Sequence, residues 1–373
     1  MKILFLVRSL NYGGCERQVV LLASGLQERG HSTLVATFYK EGDLERELYE
    51  NKVRVHLLEK GGRWDAVRFF FRLVRVLRCE KPDILYSFLS IPNILSLLTK
   101  PFVPSMRIVW GLRASNVELE HYDWVIGLSY LLERWFSRFA QLIIVNSRAG
   151  QSDAGLKGFS LKKMMVIPNG IDTRTFRPDS SASKPLRSLW GIGDSDIVIG
   201  LVGRLDPMKD HPTFLRAAAL LAREREDVRY VCVGDGPDAY LLQLQKLTRD
   251  LGLEQWVVWA GAREDMAAVY NTMDFVCSSS SFGEGFSNVI GEAMACGVPC
   301  VVTDVGDSAS IVGRVGEVVP VRDPQALADG WRRMLDRLRE QPSLRIEARD
   351  RIVQHFGLEK LLDTTNSVLR NLC

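Results

Sequence analysis

Short runs of β-branched and aliphatic residues alternate along this chain with longer stretches of helical period. KILFLV, STLVATF, VRVHLL, DILYSF, RIVWGL, LIIVN and MMVIP occupy the first half, and DIVIGLVG, VRYVCVGDG, WVVWAG, DFVCSS and VPCVVTD the second. A strand that is apolar throughout has to be covered on both faces, so the pattern predicts parallel sheets built from βαβ units with helices on both sides. Two such sheets are expected, each with its own core. Between them PNGIDTRTFRPDSSASKPLRSLWGIGDSD is rich in Pro, Gly, Ser and Asp, has no sustained period, and reads as a linker. The expected organisation is an N-terminal domain over residues 1–175, a linker at 176–194, a second domain at 195–355, and a C-terminal helix at 356–373 that packs on the N-terminal domain. Ligands of open parallel sheets collect beyond the carboxyl ends of the strands, which makes an interdomain cleft the expected binding place.

The 373 residues, 46% of them apolar, suffice for two cores at roughly 150 residues per domain. With 48 basic and 45 acidic residues the net charge is +3, which excludes nucleic-acid binding by bulk charge. The balance is uneven: residues 1–175 hold 25 basic against 17 acidic, and the remainder 23 against 28. Seven cysteines without a CxxC pair, and without His beside Cys296 and Cys300, read as reduced thiols of a cytoplasmic protein. The apolar run of MKILFLVRSL is too short for a signal peptide. ILYSFLSIPNILSLL is broken by Pro92 and Asn93 and falls short of the ~20 residues that span a bilayer. The expected location is cytoplasmic, with peripheral contact at the inner membrane face.

Three motifs carry chemistry. After the first strand, Gly13 and Gly14 lead into a helix beginning near Glu16; paired glycines admit an anion to backbone NH groups and the helix dipole, although a plain tight turn explains the pair as well. In VGRLDPMKDHP, Arg204 follows a strand and Lys209 precedes a helix begun by His211 and Pro212. Two cations there suit a diphosphate, a solvated charge pair being the alternative. In SSSSFGEGFSNVIGEAMACGVPCVVTD, Glu284 lies in a Gly-rich loop and Glu292 about one turn inside the helix that starts near Ser287 or Asn288. This spacing separates the two carboxylates, which then meet different parts of one extended ligand. Asp194 and Asp196 form a DxD, but before a strand, and the five His residues show no ligand spacing, so no metal site is expected.

Taken together, GGCER, IIVNSRAG, VIPNGIDTRTFRP, VGRLDPMKDH, VGDGP, the Glu284/Glu292 motif, VGDSASIVG and GEVVPVRDPQALA resemble the retaining, nucleotide-sugar-dependent glycosyltransferases of family 4. The resemblance implies the GT-B fold of two facing Rossmann-like domains. It places Gly13 and Gly14 at the donor phosphates, Arg204 and Lys209 at the diphosphate, Glu284 at the transferred sugar and Glu292 at the ribose. Phe286, Ser287, Asn288 and Val289 would line sugar and phosphates, and Gly261 to Arg263 would hold the base. The implied reaction is metal-independent transfer with retention to a glycan or lipid-linked acceptor, in polysaccharide, lipopolysaccharide or glycolipid assembly. A disaccharide synthase or phosphorylase, and a nucleotide-sugar-binding partner without turnover, are the alternatives. The chain departs from the family at DILYSFLSIPN, where Phe88 and Ile91 stand at positions that carry His in many relatives; Arg113 and Asn116, after the next strand, are the candidate substitutes on the acceptor or sugar side. Arg68, Arg72, Arg75 and Arg78 recur at helical spacing and suit contact with an anionic membrane, or simply a solvated cationic face.

Overall fold

The computed structural model describes residues 1–40, 42–62, 65–113 and 131–372. It forms two compact units, Met1–Gly170 with Leu358–Cys373 (unit 1) and Ile171–Gly357 (unit 2).

Unit 1 holds seven strands, β1 (Lys2–Val7), β2 (Ser32–Thr37), β3 (Arg54–Leu57), β4 (Ile84–Phe88), β5 (Arg107–Leu112), β6 (Leu142–Val145) and β7 (Met164–Val166). All pair in parallel, in the order β3-β2-β1-β4-β5-β6-β7. Successive residues of β1 point to opposite faces. Ile3, Phe5 and Val7 enter one core with helix Gly14–Glu28, while Leu4 and Leu6 enter the other with Phe69, Leu73 and Leu77 of helix Ala66–Glu80. The C-terminal helix Leu358–Arg370 completes the first core through Leu361, Leu362 and Leu369. Its approach depends on Gly25, where a Cβ would lie 2.4 Å from Leu362 Cδ1.

Unit 2 holds β8 (Ile197–Val202), β9 (Val228–Val233), β10 (Val257–Gly261), β11 (Phe275–Ser278), β12 (Cys300–Thr303) and β13 (Glu317–Val319), again all parallel, in the order β10-β9-β8-β11-β12-β13. Trp331 of helix Pro324–Glu340 is buried among Phe214, Tyr230 and Phe275. Every apolar run singled out in the sequence forms a strand; β13 is additional, three residues long at a sheet edge. Both units are thus doubly wound α/β folds. In each, the strand order reverses beside the first strand, at β1/β4 and at β8/β11, and this reversal opens a crevice beyond the carboxyl ends.

The segment expected as an irregular linker contains the helix Ser180–Leu189. Asp179 caps it by accepting from the amides of Ser181 and Ala182, Leu186 is buried, and Arg187 donates to the carbonyls of Gly193 and Asp196. Pro185 in its interior argued against a helix; the cap and the packing outweigh it. Among the described residues no helix is long and apolar enough to cross a membrane.

Candidate functional site

The carboxyl ends of β8 and β11 bring the unit 2 motifs together. The loop after β8 turns at Gly203 and approaches the loop after β9 so closely that a Cβ at Gly234, where φ is +139°, would lie 2.0 Å from the Gly203 carbonyl oxygen. That contact is the physical reason for glycine in VGDG, whereas Gly203 in VGRL is required by its own φ of +155° and by the Lys209 stem, 3.1 Å from where a Cβ would lie. Asp206 then caps a short 3-10 turn, Pro207–Lys209, and Asp210 caps helix His211–Ala222 through the Thr213 amide. The loop after β11 is stitched to this turn: the Ser279 hydroxyl donates to the Lys209 carbonyl at 2.7 Å and the Ser281 amide to that of Met208 at 2.8 Å.

These ties aim the Lys209 ammonium at Glu284 Oε1, 2.5 Å away. The same oxygen accepts from the Ser280 hydroxyl at 2.8 Å, and Glu284 is only 7% exposed. Burial pushes its carboxyl up, but the Lys209 charge, the Lys209 and Ser280 hydrogen bonds and the Arg204 charge together hold it below the ordinary value. Arg204 is largely exposed, with its nearest carboxylate, Asp206, 4.0 Å away. A few residues on, helix Asn288–Ala295 starts with Ser287 as an extended N-cap whose side chain makes no cap bond, and its positive dipole end lies at this loop. Phe286 and Ser287 are buried, while Asn288 and Val289 are partly exposed. Glu292, on the second turn and 6% exposed, accepts from the Tyr270 hydroxyl at 2.8 Å. The two carboxylates therefore have separate partners. Arg263, past the end of β10, forms a bidentate pair with Asp265 at 2.8 and 2.7 Å.

In unit 1, helix Gly14–Glu28 begins two residues before the position expected from sequence. Gly13 is its extended N-cap, and a Cβ there would lie 2.2 Å from Glu16 Oε2. Arg113 follows β5. It donates to Asn169 Oδ1 at 2.8 Å and to the Tyr86 hydroxyl at 3.3 Å, and its guanidinium lies 4.9 Å from the Phe88 ring centroid. Phe88, one of the two residues read in the sequence as departing from the family pattern, is the ring under this cation. Asn116 lies outside the described residues. Of the four arginines on helix Ala66–Glu80, Arg68, Arg75 and Arg78 are exposed, but Arg72 is turned to its N-cap Asp65 and half-buried, which reduces the expected cationic face to three.

Ser280, Tyr270, Asn169 and Tyr86 were not singled out in the sequence. Only Ser280 carried a signal, its place in the four-serine run before the glutamate. Asp196 of the DxD accepts from the Gly193 amide at 2.8 Å and pairs with Arg229 at 3.4 Å, the work of a turn. Among the described residues no group of three or more His, Cys, Asp or Glu could hold a metal ion.

The fold and these motifs define a class. Residues 12–175 match the family model "Glycosyltransferase Family 4" and residues 196–337 match "Glycosyl transferases group 1". The chain belongs to the family 4, group 1 glycosyltransferases, with the GT-B fold. It is 35% identical over 171 residues to a GDP-mannose-dependent alpha-(1-6)-phosphatidylinositol monomannoside mannosyltransferase of Mycolicibacterium smegmatis, covering 43% of this chain and 44% of that protein. It is 33% identical over 208 residues to a D-inositol 3-phosphate glycosyltransferase of Corynebacterium urealyticum, covering 52% of this chain and 49% of that one. The chain thus spans about half the length of these curated relatives. In fold it is similar to Anabaena HepE in complex with UDP-glucose, with a TM-score of 0.87 at 24% identity over 100% of both chains. It is also similar to sucrose-phosphate synthase of Thermosynechococcus elongatus, with a TM-score of 0.83 at 19% identity over 100% of this chain and 99% of that one.

Proposed function

We propose that this chain transfers a sugar from a nucleotide diphosphate sugar to an acceptor hydroxyl with retention of anomeric configuration. The observation that carries the reading is the largely buried Lys209–Glu284 pair at the carboxyl ends of the unit 2 switch strands, a few residues before helix Asn288–Ala295. Lys209 exchanges its carboxylate partner for diphosphate oxygens when donor arrives, and Glu284 then accepts from hydroxyls of the transferred sugar. Arg204 joins as a second cation, and the helix amides face the phosphates. Glu292 turns to the ribose hydroxyls. The bond from the anomeric carbon to the diphosphate oxygen breaks, the acceptor oxygen bonds to that carbon from the same face, and its proton passes to the departing phosphate oxygen. Charge developing on the leaving group is met by Lys209, Arg204 and the helix dipole without a metal ion, and this preorganised field supplies most of the acceleration. The names of the relatives support a nucleotide-sugar donor, and the mannosyltransferase among them supports a lipid-linked acceptor in glycolipid, polysaccharide or lipopolysaccharide assembly. On unit 1, Arg113 is the group offered to the acceptor or sugar.

The test is a thermal-shift screen with UDP, GDP, ADP and TDP, followed by transfer assays with sugars of the preferred base, in the presence and absence of EDTA. One nucleotide should stabilise the protein, Glu284→Ala should abolish transfer, EDTA should leave it unchanged, and the product anomer should match the donor. A protein that no nucleoside diphosphate stabilises, or a Glu284→Ala variant with near wild-type turnover, overturns the reading.

A further inference from the structure

All exposed aromatic side chains among the described residues belong to unit 1, and Phe71, Trp135 and Phe139 share one outer layer. Three neighbouring helical segments build that layer on one face of the sheet: Ala66–Glu80, Ser90–Leu98, and residues 131–136 with the 3-10 turn Ser137–Phe139. Phe70 of the first meets Phe102, just beyond the second, at 5.7 Å, and Glu133 of the third bonds to Ser90 and Asn93 of the second. On the outer side Val67 and Phe71 stand one turn apart, and Leu131, Trp135 and Phe139 recur every fourth residue. Each is more than half exposed. Leu98, on the middle helix, is exposed as well.

Among the described residues, the exposed charges of these three segments are of one sign. Arg68 and Arg75 are exposed and form no ion pair among the described residues, although the Arg68 charge reaches Asp65; Arg78 lies 5.6 Å from the Phe102 ring centroid and Arg138 5.4 Å from that of Trp135. The carboxylates of the same helices are spent elsewhere. Glu133 is buried, Glu80 pairs with Lys2, Arg54 and His56, and Asp65 pairs with Arg72. A solvated face needs no stripe of large apolar residues, and a self-complementary contact between two copies would set arginine against arginine. Aliphatic Val67, Leu98 and Leu131 offer no stacking platform for nucleic acid.

We infer that this layer docks on an anionic bilayer, with Phe71, Trp135 and Phe139 at the boundary between headgroups and acyl chains and the arginines on lipid phosphates. The inference deepens the lipid-linked acceptor reading above by naming the surface that brings the protein to its substrate, and it is tested without any transfer assay. The full chain is sedimented with vesicles of phosphatidylcholine alone and of phosphatidylcholine with phosphatidylglycerol. Wild type should pellet with the anionic vesicles only, less so as salt rises. Arg68→Glu/Arg75→Glu/Arg78→Glu and Phe71→Ser/Trp135→Ser/Phe139→Ser should each bind at least about tenfold more weakly, with unchanged melting temperature and nucleotide-induced thermal shift. Wild type that stays in the supernatant, or pellets equally with neutral vesicles, overturns the inference. So does an aromatic variant that binds like wild type, or a wild type that instead dimerises or binds RNA through this face. Because the nucleotide shift is read on the same samples, loss of vesicle binding is told apart from loss of the donor site.

Discussion

Unit 1 and unit 2 each bury a carboxylate near the carboxyl end of a switch strand, in opposite company. Glu284, after β11, is paired with Lys209 and Ser280, and its carboxyl is held below the ordinary value despite burial. Among the described residues Glu133, 1% exposed, is bonded by neutral donors alone, the Ser90 hydroxyl and the Asn93 amide, both at 2.6 Å. Burial therefore prevails there, and the carboxyl is pushed up. Equal desolvation thus gives opposite outcomes, and the sign is set by whether a cation is within reach. The functional consequence differs too. A carboxylate facing a cation is a place that an anionic ligand can enter by exchange, whereas one held by neutral donors braces a scaffold. Glu133 braces the turn after β4, where Leu89 adopts φ 72°, a conformation that L residues rarely take.

The most severe way to break this contrast is to strip unit 2 of its pair. Glu284→Ala should lower kcat/KM for transfer on the order of a thousandfold. Lys209→Met leaves Glu284 in the condition of Glu133, but without a donor built to replace the cation, and should cost roughly 3–5 kcal/mol of stability at neutral pH, measured by denaturant unfolding. In wild type the depressed carboxyl contributes stability that is present above its unfolded value of 4.5 and is lost as pH falls through the folded one. The cost of Lys209→Met should therefore shrink in acid. If this variant matches wild type at neutral pH, the pair is ornamental and the distinction between the units fails.

A second test concerns a buried group that Lys209 repels. His211 opens the helix after Lys209, is fully buried, and both its ring nitrogens lack partners among the described residues. Burial first, and Lys209 next, push its pKa down to about 4. The neutral ring then contributes stability that is complete above pH 6.5 and lost as pH falls toward 4, on the order of 3 kcal/mol. The melting temperature of wild type should drop across that window and that of His211→Phe should stay flatter. Parallel melting curves for the two would show that His211 finds a partner on protonation.

The parts of the site that could be read from sequence are those written in contiguous residues. Arg204, Lys209, Glu284 and the cap of helix Asn288–Ala295 sit in two short loops whose glycines and strand boundaries announce them. Both sheets were equally plain, because strands buried on two faces are apolar throughout. What escaped depends on residues distant in the chain. Tyr270 reaches Glu292 across 22 positions and Ser90 reaches Glu133 across 43, and neither spacing belongs to a local period. Helix Ser180–Leu189 escaped for another reason: Pro185 and four serines mask a period that Asp179 and Leu186 enforce. β13 is too short and too near an edge to register.

The mildest test acts on unit 1. The raised Glu133 carboxyl favours folding below its unfolded value of 4.5, and that contribution is lost as pH rises through the folded value. At neutral pH the chain therefore tolerates either a buried charge without a cation or a proton held against the solvent. Glu133→Gln removes the penalty and retains both contacts, since its carbonyl accepts from Asn93 and its amide donates to the Ser90 oxygen. The variant should be more stable than wild type by about 1 kcal/mol at pH 7, with the gap closing toward pH 4.5, read as melting temperature against pH. Glu133→Ala, which leaves the Asn93 amide without an acceptor, should be less stable than wild type throughout. A glutamine variant that melts below wild type at neutral pH would mean that the negative charge itself is needed there, which would place Glu133 beside Glu284 as a group kept ionised for a ligand.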